Sequence, residues 1–510
     1  MPTATRPKTS HKLDASLRVN LDRVRRDLGV GISYDIKIRE FILASGRKAA
    51  LIYLTNFIKD IDIQGMVTRL QDVEPDGMDQ DAPIEQLIAR AIGPAEVSTE
   101  DTYDTMIGQV LSGPSAVLLD GEPQALIFDL RVYPNRSIQE PQTERVTRGA
   151  HEGFVEAIIT NSNLIRRHLR DPGLRFEMLR VGRRARTDVA IVYINDLAKP
   201  ELVADLKHRI DKIDTAALSG GAKGLEEYLT AGSWNPLPRV RYTERPDLVA
   251  AHLLEGFVCI LVDNAPVGMI VPATFFTLIQ GPEDFFNNTL VGSYMRFVRL
   301  AAVFVSLILA PLWLAIVHDH TLLPSVLAWI GPRKSPGPIP LAAQLLLLEF
   351  GIDMIRIALI HTPAPISTSL GIVGAILLGQ LAVQVGFFAP ETILYAAIVA
   401  IGFFATPSIE LGMALRLFRY VLYAGSIIWG FKGFLIALFA VLAFMTGTRS
   451  FGVPFLWPMV PWNSRAMLRL AVRLPVPMVS TRPRLVVGRD RETKGRLDDI
   501  GGHDDPLSPN

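Results

Sequence analysis

Long uncharged stretches fill the C-terminal half of the chain, whereas about the first 290 residues mix apolar and charged positions throughout. The uncharged stretches are residues 300–317, 362–390, 392–409 and 433–448. Each approaches or exceeds the ~20 apolar residues that a helix needs to cross the hydrocarbon core of a bilayer. The pattern therefore predicts a large extramembrane head followed by a compact bundle of membrane helices.

We predict six membrane elements within residues 296–448. They cover about residues 298–317, 339–360, 367–388, 391–406, 411–429 and 431–447. The shorter ones are compatible with re-entrant segments as well as with full crossings.

Basic residues near the ends of these elements predict their orientation, because cytoplasmic loops carry an excess of Lys and Arg. With six crossings, three clusters fall on the side of the head: Arg296 with Arg299, Arg416 with Arg419, and Arg465 with Arg469 and Arg473. Arg333 and Lys334 fall on the other side and count against this arrangement. The bias places the head in the cytoplasm.

The head contains two pairs of segments with similar sequence patterns. They are residues 50–56 against 190–196, and residues 117–128 against 260–271. Tyr53 and Tyr193 are 140 residues apart, and the turn residues Asp120 and Asp263 are 143 apart. The first segment of each pair predicts a buried strand, and the second predicts a hairpin. Amphipathic helices are predicted after the two strands, near residues 64–72 and 200–213.

The nearly equal offsets predict two copies of one α/β module, over residues 32–132 and 174–285. Coincidence between common hairpin patterns is the alternative. Residues 1–31 are basic and polar and are expected to begin disordered, and residues 449–510 are expected to form a partly disordered cytoplasmic tail. The predicted fold class is an α+β membrane protein, with a duplicated α/β cytoplasmic head followed by a polytopic α-helical membrane domain.

A linker helix region is predicted between the modules, over residues 133–173. Phe154, Ile158 and Ile159 are expected on one apolar face of it. Its other face is rich in arginine, including Arg145, Arg148, Arg166 and Arg167. Such a face is either a solvated surface or an ion-paired contact between subunits, and the sequence leaves both interpretations open.

The second membrane element contains ionisable residues inside an apolar run. Glu349 and Asp353 are four residues apart and Arg356 follows three later, so all three share one helix face. One interpretation is a local ion pair that holds helices together, or a helix that lies along the membrane interface. The other is a polar lining of an ion path, in which carboxylates from several subunits attract cations. Gln344 and Gln380 are predicted to extend such a lining.

The composition excludes several function classes. A net charge of +1 gives no basic face for nucleic acid. The single cysteine, Cys259, excludes an intrachain disulfide framework and a multi-cysteine metal cluster. The sequence contains no P-loop, GxSxG or zinc signature, so we expect neither an enzyme nor a cofactor. Residues 1–30 lack the apolar core of a signal peptide, so the head is expected to stay inside the cell.

Short motifs along nearly the whole chain beyond residue 30 resemble one known family. In the head they are EPQTERVTRG at 140–149, GFVE at 153–156, NLIRR at 163–167 and FFTLIQGPEDFF at 275–286. Further on they are GPIP at 337–340, EFGIDMIR at 349–356, GIVGA at 371–375, ATPS at 405–408 and RSFGVP at 449–454. Together they resemble the A subunits of bacterial spore germination receptors, the GerA family, and within it the stage V sporulation protein AF branch.

This sequence departs from the family pattern at two places in the arginine-rich linker. Ala150 and His151 stand where the family usually has Pro-Arg, and His168 stands where a third arginine is common. Both departures reduce the charge of the linker and therefore weaken the expectation of a subunit contact there.

The resemblance implies a multi-pass protein of the inner spore membrane that acts in germination. It implies assembly as a ring homo-oligomer that releases ions, in contact with membrane lipids and with other membrane germination subunits. Nutrient recognition is assigned mainly to a separate polytopic subunit, and the resemblance supplies no catalytic residue.

Two functions of different classes follow from these expectations. The first is an oligomeric ion channel in which Glu349 and Asp353 attract cations and Arg356 positions them. The alternative is a non-conducting membrane scaffold that assembles germination proteins through its soluble head. A secondary transporter ranks lower, because the duplication lies in the head and no inverted repeat is evident in the membrane part.

Overall fold

The computed structural model describes residues 11–43, 45–55, 57–72, 96–131, 141, 144–319, 337–360, 384 and 386–475. The chain divides into two compact units. The first extends to Ser233 and includes Tyr242–Val271, and the second comprises Trp234–Arg241 and Pro272–Met478. Residues 272–285, which the sequence analysis grouped with the second module, belong to the second unit.

The first unit contains two five-stranded sheets. The strands of the first sheet are β1 (Ile36–Ile42), β2 (Lys48–Leu54), β3 (Glu96–Glu100), β4 (Ser115–Leu119) and β5 (Ala125–Asp129). Those of the second are β6 (Leu174–Val181), β7 (Thr187–Ile194), β8 (Arg241–Thr243), β9 (Val258–Val262) and β10 (Gly268–Val271). The spatial orders are β1-β2-β4-β5-β3 and β6-β7-β9-β10-β8, so the two sheets repeat one topology.

The pairings of the first sheet are all antiparallel, as are those of β6-β7, β7-β9 and β9-β10. The modules therefore differ from the expected α/β class, which is built on parallel strands joined by crossover helices. For the hairpins β1-β2, β4-β5, β6-β7 and β9-β10 the physical reason is the short connection, because a short turn can only join antiparallel neighbours.

Seven helices of the described residues accompany these sheets in the first unit. They are α1 (Leu17–Leu28), α2 (Asp60–Asp72), α3 (Tyr103–Leu111), α4 (Ile158–His168), α5 (Pro200–Asp211), α6 (Gly221–Leu229) and α7 (Pro246–Leu254). Each sheet packs with its helices around its own apolar core, one including Leu51, Val117 and Leu126, the other Val192, Leu253 and Leu261. The helices predicted after the first pair of similar segments, which form β2 and β7, are present as α2 and α5.

Matched hydrogen bonds repeat between the two modules. Asp120 Oδ1 accepts a hydrogen bond from Leu17 N at 3.1 Å, and Asp263 Oδ1 accepts one from Ile158 N at 3.2 Å. In each case the turn aspartate after the fourth strand of a module, β4 or β9, satisfies the first N–H of a helix and meets the positive end of its dipole. The equivalence makes α4 the counterpart of α1.

Two buried asparagines repeat the same correspondence. Asn20 bonds both backbone groups of Asp14, at 3.0 and 2.6 Å, and Asn161 bonds both backbone groups of Val155, at 2.8 and 2.6 Å. The repeat therefore includes the helix that precedes each sheet, and α4 opens the second module instead of merely linking the two.

Two expectations for these helices are wrong. Residues 17–28 form α1, which buries Leu21, Val24 and Leu28 in the first core, so the expected disorder of residues 1–31 does not hold there. In the linker, Phe154 precedes α4, and Ile159 is 43% exposed although it was expected on the apolar face. Asn161, Asn163 and Ser162 take up buried positions that the apolar pattern did not identify.

The second unit is largely helical. Its described helices are α8 (Phe275–Ile279), α9 (Glu283–Phe286), α10 (Thr289–His318), α11 (Leu341–Ile360), α12 (Pro390–Phe404), α13 (Ile409–Gly447) and α14 (Ser464–Ala471). A short hairpin of β11 (Arg449–Ser450) and β12 (Val453–Pro454) follows α13. The predicted element over 367–388 lies almost entirely outside the described residues.

The helix α13 is bent into two segments. Trp429 and Gly430 have non-helical backbone angles, with φ of −131° and 57°. Gly425 and Gly433 then approach so closely that a Cβ on Gly425 would lie 2.4 Å from the carbonyl oxygen of Gly433. Phe418 and Phe444 meet edge to face with ring centroids 5.6 Å apart. The bend thus folds the segment back on itself, which agrees with the separation of two elements near residue 430 in the sequence analysis.

Two helices among the described residues, α10 and α13, are long and apolar enough to cross a membrane. They have 30 and 39 residues, and α12 is a shorter apolar helix. In α12, Gly402 permits close packing, because a Cβ there would lie 2.6 Å from the carbonyl oxygen of Ala302 in α10.

Candidate functional site

Glu349 of α11 is the centre of a buried polar cluster in the second unit. Arg419 of α13 donates two hydrogen bonds to its carboxylate, from Nε at 2.7 Å and from Nη2 at 3.0 Å. Tyr423 donates its hydroxyl to Glu349 Oε1 at 2.8 Å. Arg419 also donates Nη1 to the carbonyl oxygen of Ser306 in α10 at 2.6 Å. One guanidinium therefore joins three helices, and Glu349 is fully occupied by donors.

Asp353 lies one turn further along α11 and pairs with Arg416 of α13. The guanidinium of Arg416 lies 4.6 Å from the ring centroid of Phe403, and that of Arg356 lies 4.5 Å from the same centroid. Arg356 also places Nη1 3.0 Å from the sulfur of Met413. Side chains from α11, α12 and α13 therefore meet around Phe403, with Asp353 about one quarter exposed.

Gln344 holds the beginning of α11 against α12. Its Nε2 donates to the carbonyl oxygen of Ile339 at 2.8 Å. Its Oε1 accepts hydrogen bonds from Ala389 N at 2.8 Å and from Thr392 Oγ1 at 3.0 Å. Because Gln344 is completely buried, these bonds position helices and leave no free amide for an ion. Gln380 lies outside the described residues.

The charge balance of the cluster differs from the one that the sequence predicted. Two carboxylates, Glu349 and Asp353, face three arginines, so the cluster carries an excess positive charge. Arg416 and Arg419, which the sequence analysis counted as cytoplasmic orientation charges, are 5% and 1% exposed and serve as internal partners of the acids. Both local ion pairs thus match the interpretation in which charges hold helices together.

Arg416, Arg419 and Tyr423 were not predicted as members of this cluster. Their spacing is itself a signal, since residues three and four apart lie on one face of a helix. Glu349 and Asp353 are likewise four apart, so the two faces are complementary. Reading both helices together would have paired the acids with the arginines.

The four linker arginines predicted for a subunit contact separate into a buried one, Arg166, and three at the surface. Arg166 is 1% exposed; it donates Nε to Asp35 Oδ2 at 2.9 Å and two further hydrogen bonds to the carbonyl oxygens of Asp171 and Leu174. It is therefore occupied within its own chain, and its predicted role in a subunit contact is wrong. Arg145 and Arg148 are exposed.

Arg167 lies at the surface beside Glu152, with Nη2 3.3 Å from Oε2. A hydrogen bond from His168 lowers the pKa of Glu152, and the positive charge of Arg167 acts in the same direction. The histidine at the position where the family commonly has arginine thus still binds this carboxylate. Among the described residues, no group of three or more His, Cys, Asp or Glu side chains could hold a metal ion.

Comparison with known proteins identifies the family of this chain. A family model described as Bacillus/Clostridium GerA spore germination protein matches residues 22–485. The chain belongs to the GerA family. Its relatives in that family include stage V sporulation protein AF of Bacillus subtilis (strain 168), which is 38% identical over 92% of this chain and 95% of that protein.

Other GerA proteins match over similar lengths. Spore germination protein GerLA of Bacillus cereus is 31% identical over 94% of this chain and 97% of its own length. Spore germination protein KA of Bacillus subtilis (strain 168) is 28% identical over 95% and 89%. A crystal structure of the N-terminal domain of the A subunit of the Bacillus megaterium spore germinant receptor GerK3 is 29% identical, with a TM-score of 0.42, over 52% of this chain and 99% of that one.

Several GerA motifs form caps and tight turns in the second unit. In ATPS, Ser408 caps α13 by accepting a hydrogen bond from Leu411 N at 3.2 Å. RSFGVP forms the β11-β12 hairpin, in which Ser450 accepts a hydrogen bond from Ala273 N and donates one to the carbonyl oxygen of Arg239. EFGIDMIR supplies both acids of the charged cluster. The motifs thus coincide with positions where side-chain chemistry fixes the helical unit.

Proposed function

We propose that this protein is an ion-conducting membrane subunit of the bacterial spore germination machinery that acts as a ring homo-oligomer. Membership of the GerA family supports its role in germination. The observation that carries the conduction proposal is the charged cluster of α11 and α13, in which five ionisable side chains meet between apolar helices.

The energetic cost of this cluster favours a function beyond anchoring. Ionisable groups at membrane depth are expensive and in most proteins mark ion or substrate pathways. An anchor needs none of them, since replacing a buried ion pair with well-packed apolar residues is often neutral or stabilising. The five charges are therefore better explained by an ion path close to them than by attachment alone.

The geometry suggests different roles for the predicted path residues. The Glu349 side chain is 4% exposed and accepts three hydrogen bonds, so we assign it, with Gln344, to positioning helices. The side chain of Asp353 is 24% exposed, and Arg356 is half-buried. The proposed path therefore runs past Asp353 and Arg356. Because the charged cluster carries an excess positive charge, the proposed path is not required to select strongly for cations.

The remaining parts of the proposal concern placement and assembly. The protein lies in the inner spore membrane as a multi-pass protein, with its head in the cytoplasm, in contact with lipids and with other membrane germination subunits. The exposed Arg145, Arg148 and Arg167 belong to the contact between copies. No enzymatic activity, cofactor or nucleic-acid partner forms part of the proposal.

Ion flux through the purified assembly tests the role of Asp353. In liposomes under a potassium chloride gradient, Asp353→Asn should move the reversal potential toward that of chloride, because it removes the accessible negative charge. Glu410→Gln, at the first turn of α13, is the control and should leave the potential unchanged. An unchanged potential for Asp353→Asn, with flux retained, would place the path away from this carboxylate.

A non-conducting scaffold is the second candidate, and the pairing of both acids favours it. Glu349 and Asp353 are each paired with an arginine of the same chain, which is the arrangement expected if the ion pairs only hold helices together. Correctly assembled protein that passes no current, while spores carrying Glu349→Ala with Asp353→Ala release ions at the wild-type rate, would favour the scaffold.

A further inference from the structure

A second basic cluster lies at the beginning of α10, away from the cluster around Glu349. Asp284 of α9 is completely buried, and Arg299 donates Nη1 to both of its carboxylate oxygens, at 2.8 and 2.7 Å. Arg473 donates to the carbonyl oxygens of Phe285 and Asn287 beside it. Arg296 is the third arginine, so one carboxylate faces three guanidinium groups.

Arg296 has unused hydrogen-bonding capacity although it is only 8% exposed. Its Nη1 donates to the carbonyl oxygen of Arg469 at 3.0 Å. Its Nε forms an ion pair with Asp284 Oδ2 at 3.5 Å, without the geometry of a well-formed hydrogen bond, and its guanidinium lies 4.9 Å from the ring centroid of Phe285. An unsatisfied donor on a buried cation is costly, and an anionic acceptor would remove that cost.

Arg296 and Arg299, together with Asp284, line one end of a cavity of about 60 Å³ that is partly open to the surroundings. Apart from Gln280, its other walls are apolar, and they include Phe276, Ile279, Leu300, Met467 and Leu470. Cationic donors at one end and an apolar chamber at the other are complementary to an amphiphile with an anionic head.

The position of the cavity along α10 identifies the amphiphile. The uncharged stretch begins at Leu300, and its 18 residues to Val317 extend about 27 Å, close to the ~30 Å of a hydrocarbon core. Arg296 and Arg299 directly precede this stretch, at the depth of lipid phosphates. Leu290, Tyr294 and Phe297 form an exposed stripe on the same turns, at 80%, 67% and 68% exposure, which suits the interfacial region.

We propose that this cavity binds an anionic phospholipid. The phosphate is held by Arg296 and Arg299, and the first few methylene groups of an acyl chain enter the chamber beside Leu300 and Met467. Basic pockets between helices on the cytoplasmic side are the sites that recognise such headgroups. The inference rests on the membrane placement in the proposed function but not on ion conduction.

Thermal denaturation of the full-length protein in uncharged detergent tests the site. Phosphatidylglycerol should raise the Tm saturably, by roughly 4 °C or more, because it binds the folded state alone. Phosphatidylcholine with the same acyl chains, and inorganic phosphate, should each give less than about a quarter of that shift. Equal shifts from the two lipids, or from phosphate alone, would overturn the proposal.

Two variants examine the two ends of the cavity. Leu300→Trp fills the apolar chamber and leaves every arginine in place, so it should abolish most of the phosphatidylglycerol shift. Asp284→Asn removes the internal competitor for the guanidinium groups and should enlarge the shift. Arg449→Gln, an exposed arginine of the same unit, is the matched control. A wild-type shift in Leu300→Trp would contradict the acyl-chain site.

Flotation separates this proposal from the one on which it rests. Protein that does not float with phosphatidylcholine vesicles lacks the proposed membrane placement, and both proposals then fail. Protein that floats but shows no preference for phosphatidylglycerol retains its membrane placement and lacks the lipid site.

Discussion

At the scale of single residues, hydrogen-bond donors in the charged cluster offset the free-energy cost of burying a carboxylate. Glu349 receives three donors from Arg419 and Tyr423, and these bonds replace the hydration that burial removes. Removing one partner leaves the other charge buried and unpaired. The cost of that step exceeds the net worth of the pair itself.

A double-mutant cycle between Glu349 and Arg419 should therefore be strongly non-additive. Each of Glu349→Gln and Arg419→Gln should lower the free energy of unfolding by about 3–5 kcal/mol. The double variant should lose less than the sum by at least ~1 kcal/mol. Denaturation in detergent measures all three, and Arg449→Gln should stay within about 0.5 kcal/mol of wild type. Additive effects would mean that the two side chains are not coupled.

The pKa of Glu152 predicts a pH-dependent contribution to the stability of the head. Because His168 and Arg167 lower it below the usual 4.5, the folded state favours the ionised carboxylate. The contribution is complete above the usual pKa and is lost as pH falls through the lowered value. The stability difference between wild type and Glu152→Gln should accordingly shrink below about pH 4.5.

Urea unfolding of the full-length protein between pH 7 and pH 3 measures this difference. The exposed Glu156→Gln serves as its control and should show no comparable change. A gap that widened on acidification would reverse the sign derived from the contacts of Glu152.

At the scale of elements, the sequence predicted the repeated strands better than the repeated helices. Tyr53 and Tyr193 occupy equivalent strands of the two sheets. These strands were predictable because a buried apolar run is visible in the sequence itself. The equivalence of α1 and α4 depends on Asn20 and Asn161, whose side chains bond a backbone six residues earlier. From the pattern of apolar positions alone, a polar residue that is buried to make such a bond cannot be distinguished from a surface residue.

The candidate site was predictable in the same partial way. The acids of α11 stand out because charge is rare in an apolar run, and their mutual spacing follows from helix geometry. The matched spacing of Arg416 and Arg419 was a signal for their partners, but only the packing of α11 against α13, about 70 residues further along the chain, shows that the two helices meet. The sequence therefore left open both a local ion pair and an ion path, and in the structure both carboxylates are paired.

The bend of α13 predicts a position-specific effect of alanine. A Cβ on Gly425 would lie 2.4 Å from the carbonyl oxygen of Gly433, so Gly425→Ala should destabilise the protein by about 1–3 kcal/mol. Within the described part of the chain, and apart from its own helix and chain neighbours, a Cβ on Gly447 would meet no atom within 4 Å, so Gly447→Ala should be neutral or slightly stabilising. Thermal denaturation compares the two, and equal effects would contradict the close approach of the two segments.

At the scale of the whole molecule, one GerA-family chain contains both a duplicated head and a charged helical unit. Membership of the GerA family fixes the biological setting, and the charged cluster supplies the physical reason to expect ions. The proposed ring requires that copies of the chain meet through surfaces that the single chain leaves exposed.

The exposed linker arginines predict the behaviour of that ring. Arg145→Glu with Arg148→Glu should reduce the oligomeric mass in native mass spectrometry, since opposite charges would oppose the proposed contact. Arg184→Glu, which changes an exposed arginine elsewhere in the head, should leave the mass unchanged. A full-size oligomer in the double variant would remove these arginines from the contact.

Electrical recording from the purified wild-type assembly in a planar bilayer tests ion conduction most directly. We predict discrete current steps under a potassium chloride gradient, with a reversal potential that Asp353→Asn changes and Glu410→Gln does not. A ring of verified size that inserts into the bilayer and passes no current would contradict the account.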